Sequence, residues 1–327
     1  MPRVLSGIQP SGDVHLGNLL GAIRNWARDQ HEDSFHLIVD LHALTLPKDP
    51  AELRSTTLEL AMTLIAAGLD PDICTLFVQS HVPAHSNLSW LLECTVSFGE
   101  LRRMTQFKDK ADRADFVSAG LFTYPALQAA DILLYDAQLV PVGDDQRQHI
   151  EITRDIAVRF NSRYGDTFVI PEAAIPSAGA RVMDLQNPTK KMSKSESSPQ
   201  GTIDILEPLK DIERKIMRAV TDSDTDVRYD VAEKPGISNL LSILAACTGG
   251  DAATLAANYT QYGALKKDTA AAVVETVRPI QQRYAELASD RAETARLLDK
   301  GATKAESIAS ATLTRAYDAI GLLPRGK

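Results

Sequence analysis

The chain has 327 residues, 44% hydrophobic and 24% charged, a globular balance that excludes a disordered or fibrous protein and is long enough for one large domain or two. Its 43 Asp and Glu against 35 Lys and Arg give a formal charge of −8, which disfavours a protein whose whole surface grips nucleic acid but allows a local basic patch. No apolar run is long enough to span a membrane, the start Met1-Pro2-Arg3-Val4-Leu5-Ser6-Gly7 has no apolar targeting segment, and Cys74, Cys94 and Cys247 form no C-x-x-C pair, so a cytoplasmic, reduced protein without a membrane partner is expected.

In chain order, Arg3 to Ile8 is short and apolar and leads into the turn Gln9-Pro10-Ser11-Gly12-Asp13. Leu16, Leu19, Leu20, Ile23 and Trp26 make a helical stripe over residues 16–30, and Phe35 to Val39 reads as a buried strand. Asp49-Pro50 supplies a cap and a first-turn proline for a helix that stops near Gly68 and Pro71. A strand at Thr75 to Val78, helices over 88–98 and 121–135, a strand over 138–142 and a helix over about 145–161 follow. Strands separated by helices of this length indicate βαβ units and a parallel sheet. The polar stretch 187–200, with two prolines and no apolar stripe, reads as a mobile loop between domains. Beyond about Thr202 the pattern is helical and Ala-rich. The expected architecture is an α/β, Rossmann-like doubly wound parallel sheet over 1–186, the loop 187–200 and a smaller helical domain over 201–327, whose last helix could pack back on the first domain.

In such a sheet, ligands bind beyond the carboxyl ends of the strands at the switch point. Four segments could reach it. Ser6 to Gly12 with His15-Leu16-Gly17-Asn18 is a glycine-punctuated turn feeding a helix start, which suits phosphate, although it is neither G-x-G-x-x-G nor a P-loop and could be an ordinary connection. Val140 to Gln146 ends a strand in Gly143, Asp144 and Asp145; the acids could hold ribose hydroxyls or simply cap a helix. Asp131 lies in an apolar helical stretch, where a carboxylate needs a donor, either a neighbouring side chain or a ligand N–H. Lys191-Met192-Ser193-Lys194-Ser195 sets two ammonium groups at i and i+3 on a serine-containing loop, a pattern able to close over a polyphosphate.

Other candidates fall away. His81 and His85 have i, i+4 spacing but Pro83 lies between them and no third ligand is evident, so surface or core histidines are expected. Asp222-x-Asp224-x-Asp226 mimics a calcium loop, yet Val227 stands where glycine is required. No Ser-His-Asp or Cys-His nucleophile can be argued from spacing, and no metal-binding set is expected.

The H-L-G-N turn together with K-M-S-K-S resembles the class I aminoacyl-tRNA synthetases and, more narrowly, the bacterial-type tryptophanyl-tRNA synthetases. Asp40-x-His42-Ala43, Gly99-Glu100-Leu101, Arg103 to Lys108, Ala129 to Tyr135, Val140 to Gln146, Ala219 to Ser223 and Lys234 to Leu241 extend the resemblance over nearly the whole chain. It implies activation of L-tryptophan by ATP, with Mg²⁺, to tryptophanyl-adenylate and transfer to tRNA(Trp), in a homodimer, with no tightly bound metal or organic cofactor. It places ATP against Gln9, Pro10, Ser11, Gly17, Asn18, Gly143, Asp144, Asp145, Val182 and Lys191 to Ser195, including Met192, Ser193 and Lys194. His15 takes the place of the first signature histidine, and Lys191, Lys194, His15 and Gln9 are the catalytic candidates. Asp131 would accept the indole N–H in a pocket shaped by Gly7, His42, Tyr124, Gln128, Val140, Val142 and Gln146. The chain departs from the family at Asn18 (the second signature histidine) and at Leu5, Leu41, Gln128 and Asp144, where Phe, Gln, Met and Glu are frequent.

The chemistry agrees with these expectations. Attack by the substrate's own carboxylate needs no enzyme nucleophile; positioning and charge stabilisation remain. Indole N–H is a donor only and calls for an acceptor. A tyrosyl-tRNA synthetase-like enzyme and a non-catalytic tRNA-binding paralog are the alternatives. The basic stretch Lys210, Arg214, Lys215 and Arg218 and the C-terminal helices are expected to meet tRNA.

Overall fold

The structure is a computed structural model that describes residues 1–111, 116–143, 146–174, 181–193 and 198–324, with side chains excluded at 109–111. Strand β1 (Val4–Ile8) runs into a helical segment made of α1 (Leu16–Asn18), a π-helical turn (Leu19–Ile23) and α2 (Arg24–Asp29). β2 (Ser34–Ile38) leads to the short α3 (Asp40–Ala43). The 17-residue α4 (Pro50–Ala66) starts where expected: the Asp49 carboxylate accepts Ala51 and Glu52 N–H, each at 2.9 Å, which stabilises the start by about 1 kcal/mol. It ends at Gly68, whose φ of +112° few other residues adopt without strain.

β3 (Thr75–Val78) is followed by α5 (Ala84–Glu93) and then by α6 (Phe98–Arg102) and α7 (Thr105–Ala111). The spacing predicts one helix over 88–98. Instead Pro83 starts α5 early and a capping box between Ser97 and Glu100 opens a new helix at Phe98. Glu100 also pairs with Arg159 at 2.5 and 2.8 Å, and with this guanidinium beside it the carboxyl is pulled down to about 2. α8 (Ala119–Leu133), β4 (Leu139–Pro141), α9 (Arg147–Tyr164) and a short β5 (Glu172–Ala174), unforeseen in the sequence, complete the sheet.

Among the described residues the sheet has five strands in the order β3-β2-β1-β4-β5, all parallel. The doubly wound reading therefore holds, and the strand order reverses between β1 and β4. One apolar cluster, containing Leu5, Phe35, Phe77, Leu88, Ile132 and Phe160, lies under α5, α8 and α9. The other unites Leu19, Ile38 and Leu64 with Ile212, Leu240, Leu241 and Val273 of the C-terminal half.

That half comprises α10 (Leu209–Met217), α11 (Pro235–Thr248), α12 (Ala252–Ala256), α13 (Tyr262–Ser289) and α14 (Arg291–Ile320). α14 runs back to the sheet, where Gly301 approaches β3 so closely that an added Cβ would sit 2.0 Å from the Leu76 carbonyl oxygen. Lys215 of the basic stretch does not face outward. It is buried, donating to Glu207 at 2.5 Å and to the Thr202 carbonyl at 2.8 Å, so it is unavailable to a surface partner. The calcium-like motif also has an occupant: Lys234 Nζ lies 3.2, 3.1 and 3.0 Å from Asp222, Asp224 and Asp226.

No helix among the described residues is long and apolar enough to cross a membrane.

Candidate active site

The crevice beyond β1 and β4 is visible in the burial pattern. Gly7 belongs to the central strand β1 yet is exposed, as are Gln9, Ser11 and Gly143. A central-strand position is normally covered, so an exposed glycine there marks an opening onto the sheet's carboxyl end. A Cβ on Gly7 would lie 3.1 Å from Val39 and 3.4 Å from Leu37, on the side occupied by α8.

His15 caps the helical run 16–29. Its Nδ1 accepts the Asn18 N–H at 3.3 Å, while Asn18 Oδ1 accepts the His15 N–H at 3.2 Å. Accepting at Nδ1 puts the proton of a neutral ring on Nε2, where it is a donor. The signature turn is stitched to the C-terminal half by Leu16 N–H to Ile203 O (2.9 Å) and Ile205 N–H to Val14 O (3.0 Å). Gly17 lies beneath the His15 ring, and its absent Cβ would be 3.7 Å from Met192 Cβ, so the two signature segments meet at this glycine.

The stretch expected as a loop begins as a hairpin. Met192 N–H donates to Val182 O at 3.1 Å and Asp184 N–H to Lys190 O at 2.9 Å, pairing Met183 with Lys191. Asp184 Oδ1 closes the turn on the N–H groups of Gln186 and Asn187. Val182 and Met192 are buried, whereas Lys191 is exposed and Ser193 half-buried. Lys194, Ser195, Asp144 and Asp145 lie outside the described residues.

Asp131 is held by three side chains. It is 3% exposed, on the face of α8 that also carries Tyr124 and Gln128. Oδ1 accepts Gln79 Nε2 at 2.7 Å and His85 Nδ1 at 2.6 Å; Oδ2 faces His42 Nε2 at 2.8 Å. Burial pushes its pKa up, but His42 and His85 outweigh that and bring it down to about 2. An ionised carboxylate has about four lone-pair sites, so three donors leave room for one more. Neighbouring side chains therefore supply its donors, and one lone-pair site remains. Gln79, His85 and Tyr135, whose hydroxyl lies against the far nitrogen of His85, are the members sequence reasoning misses. Spacing gives His85 no third metal ligand, and the partner that gives it a role lies 46 residues away.

Around this group, Tyr124 donates to or accepts from His149 Nε2 at 2.7 Å and stands edge-on to the His42 ring, 6.4 Å between centroids. Val140 is buried, Val142 and Gln146 are half-buried, and Gln146 N–H donates to Gly143 O at 2.9 Å where α9 begins. An open groove of about 600 Å³ lined by Glu100, Asp155, Val158, Arg159, Ser162 and Arg163 holds none of these residues. Among the described residues, no group of three or more His, Cys, Asp or Glu is placed to hold a metal ion.

This arrangement offers a helix start suited to an anion, a lysine-bearing hairpin against it and, among residues that follow β2 and β3, a buried acceptor. Residues 1–278 match the family described as class I tRNA synthetases (W and Y). The chain is 54% identical over 329 aligned positions to tryptophan–tRNA ligase 2 of Streptomyces avermitilis, covering 99% of this chain and 98% of that protein. It is similar in structure to the tryptophanyl-tRNA synthetase of Mycoplasma pneumoniae, with a TM-score of 0.92, 36% identity and coverage of 99% and 98%. The Campylobacter jejuni tryptophanyl-tRNA synthetase complexed with ADP and tryptophan gives a TM-score of 0.83 at 35% identity, covering 98% of this chain and all of that one.

Proposed function

The chain belongs to the class I tRNA synthetases of tryptophan and tyrosine, and we propose that it is a tryptophan–tRNA ligase, activating L-tryptophan with ATP and passing the acyl group to tRNA(Trp). The observation that supports the tryptophan assignment is the Asp131 carboxylate, buried among His42, Gln79 and His85 and held low in pKa, with one acceptor site to spare. Indole presents a single ring N–H and nothing to accept with, so an acceptor-only partner suits it. Phenylalanine would leave that acceptor unpaired, which penalises it without an editing step.

In this reading Gly7, His42, Tyr124, Gln128, Val140, Val142 and Gln146 shape the indole side. Gln9, Pro10, Ser11, Gly17 and Asn18 face ATP, bound as its Mg²⁺ complex, opposite Gly143, Asp144 and Asp145, while Val182 and Met192 support the adenine side. The tryptophan carboxylate attacks the α-phosphorus, the bond to the leaving pyrophosphate breaks, and charge gathers on that pyrophosphate. His15 Nε2–H, Lys191, Ser193, Lys194 and Ser195 answer that charge, Gln9 helps to align the reactants, and the work is positioning and electrostatics. Residues 1–186 form the catalytic unit, 187–200 the signature loop and 201–327 the helical tRNA-binding unit.

A homodimer fits the exposed Phe98 (68%), which packs on half-buried Phe122 (4.9 Å), itself against half-buried Phe107 (5.1 Å). The cytoplasm fits three unpaired cysteines.

ATP–pyrophosphate exchange run with each of the twenty amino acids tests the assignment. Exchange with tryptophan and only background with tyrosine and phenylalanine supports it; exchange driven by tyrosine, or by none, overturns it.

A further inference from the structure

Residues 234–241 carry part of the family resemblance, yet nothing in the adenylate chemistry above uses them. Their place in the structure gives them work. In the hairpin of residues 182–192, the backbone bonds run through Val182 with Met192 and Asp184 with Lys190. Met183 and Lys191 are therefore opposite each other as the pair without mutual hydrogen bonds, and the peptide N–H and C=O of Met183 point away from the partner strand. Both need partners from elsewhere.

One side chain supplies both. Asn239 Oδ1 accepts the Met183 N–H at 2.8 Å and Nδ2 donates to the Met183 carbonyl at 2.9 Å. The amide reproduces what a third strand would offer, and it comes from α11 in the C-terminal half. Asn239 is only 4% exposed, so water is a poor substitute for either bond.

The helix that presents Asn239 is itself fixed against the same hairpin. Gly236 lets α11 approach Val220 so closely that an added Cβ would lie 2.2 Å from its carbonyl oxygen. Val220 N–H in turn donates to Leu185 O at 2.8 Å, just beyond the strand that bears Met183. At the start of α11, Lys234 is held by three aspartates and by the Tyr262 hydroxyl at 2.9 Å. Ser238 accepts the Asp230 N–H at 2.9 Å and closes the preceding turn.

We propose that Asn239 is a positioning residue for the ATP side of the reaction: from α11 it sets the height and register of the hairpin that brings Val182 and Lys191 to the crevice. This rests on the reading that the hairpin faces ATP. Asp131 lies on α8 between Ala130 and Ile132, which pack in the other apolar cluster, so tryptophan recognition is expected to be insulated from the change.

Two variants test this. Asn239→Leu keeps the volume and strands both Met183 groups; Asn239→Asp keeps an acceptor for the N–H but sets a second carboxylate oxygen against the carbonyl. Pyrophosphate exchange is measured per active site, counted from the adenylate burst, with thermal midpoints recorded alongside. The expected result is a rise in KM for ATP of about tenfold in Asn239→Leu and severalfold in Asn239→Asp, with KM for tryptophan within about twofold of the parent.

A lowered midpoint with both KM values unchanged, or both raised together, assigns Asn239 to stability alone and overturns the proposal. Should Asn239→Leu fail to fold, the same split in Asn239→Asp decides. Lys191→Ala separates the two levels. If Lys191→Ala leaves ATP use untouched, the ATP-facing reading falls and takes the proposal with it. If it impairs ATP use while both Asn239 variants match the parent, only the proposal is wrong.

Discussion

His85 lies between Asp131 and Tyr135, with Nδ1 at 2.6 Å from the Asp131 carboxylate and Nε2 at 2.9 Å from the Tyr135 hydroxyl. A neutral ring satisfies both contacts in one way: Nδ1–H donates to the carboxylate and Nε2 accepts the phenolic proton. Both side chains behind Asp131 are fully buried, so its carboxylate is oriented from within the core.

Asp131→Asn is therefore expected to lose tryptophan affinity and selectivity together. The amide puts an NH₂ where one of the present donors needs an acceptor. Discrimination against phenylalanine should fall by roughly 10²-fold or more. Pyrophosphate exchange with the two amino acids measures this, and an unchanged ratio would take Asp131 out of the indole pocket.

Lys194→Ala should slow adenylate formation by about 10²-fold while leaving tryptophan binding near the parent value, because the charge it meets develops mainly in the transition state. Single-turnover rates and equilibrium tryptophan binding, compared side by side, check the split. Equal losses in both would count against a transition-state role.

His36 predicts an acid limb in stability. Its ring packs on Trp26 at 5.4 Å, and neither nitrogen has a hydrogen-bond partner among the described residues. Burial, with a smaller push from His31, lowers its pKa from 6.5 to about 4. The unfolded chain thus binds a proton first as pH falls, so stability is full above about 6.5 and declines towards 4, by about 3 kcal/mol. Thermal midpoints from pH 7 to 4 should show this decline, and His36→Phe should flatten it. Asp131 adds its own loss only lower, below the ordinary carboxylate range towards about 2.

Two glycines inside helices should respond to alanine with opposite signs. Gly263, the second residue of α13, has nothing beyond its chain neighbours and its own helix backbone within 4 Å of the place an added methyl would take, so Gly263→Ala should stabilise by up to about 1 kcal/mol through helix propensity. Gly301→Ala drives a methyl into the Leu76 carbonyl and should destabilise by about 3 kcal/mol or more. Denaturant midpoints of the two variants test both signs at once.

The sheet is legible in the sequence because β1, β2 and β3 are short apolar runs between helix stripes, and the caps at Asp49 and Gly68 mark their helix in the residues themselves. β5 is not, since Glu172-Ala173-Ala174 has no strand-forming side chains and is recruited by pairing with β4. The hairpin behind Lys191 is hidden for a similar reason: its bonds are backbone bonds, closed by Asp184 and clasped from α11. Asp131 stands out as a buried charge in need of donors, but which donors it finds depends on α5 and α3 folding against α8. Lys215 reads as a surface cation because sequence shows a charge and not the Glu207 that draws it inward.

The contact between Gly301 and Leu76 also bears on how the chain is made. Among the described residues β3 is the outermost strand on its side of the sheet, and its backbone is covered by a helix that spans Arg291–Ile320, more than 200 residues later in the chain. During synthesis the strands emerge long before that cover, so the nascent sheet keeps an open flank, prone to unwanted strand pairing, until α14 has followed. A message truncated ahead of α14 would then yield material for chaperones and proteases rather than a half-capable enzyme.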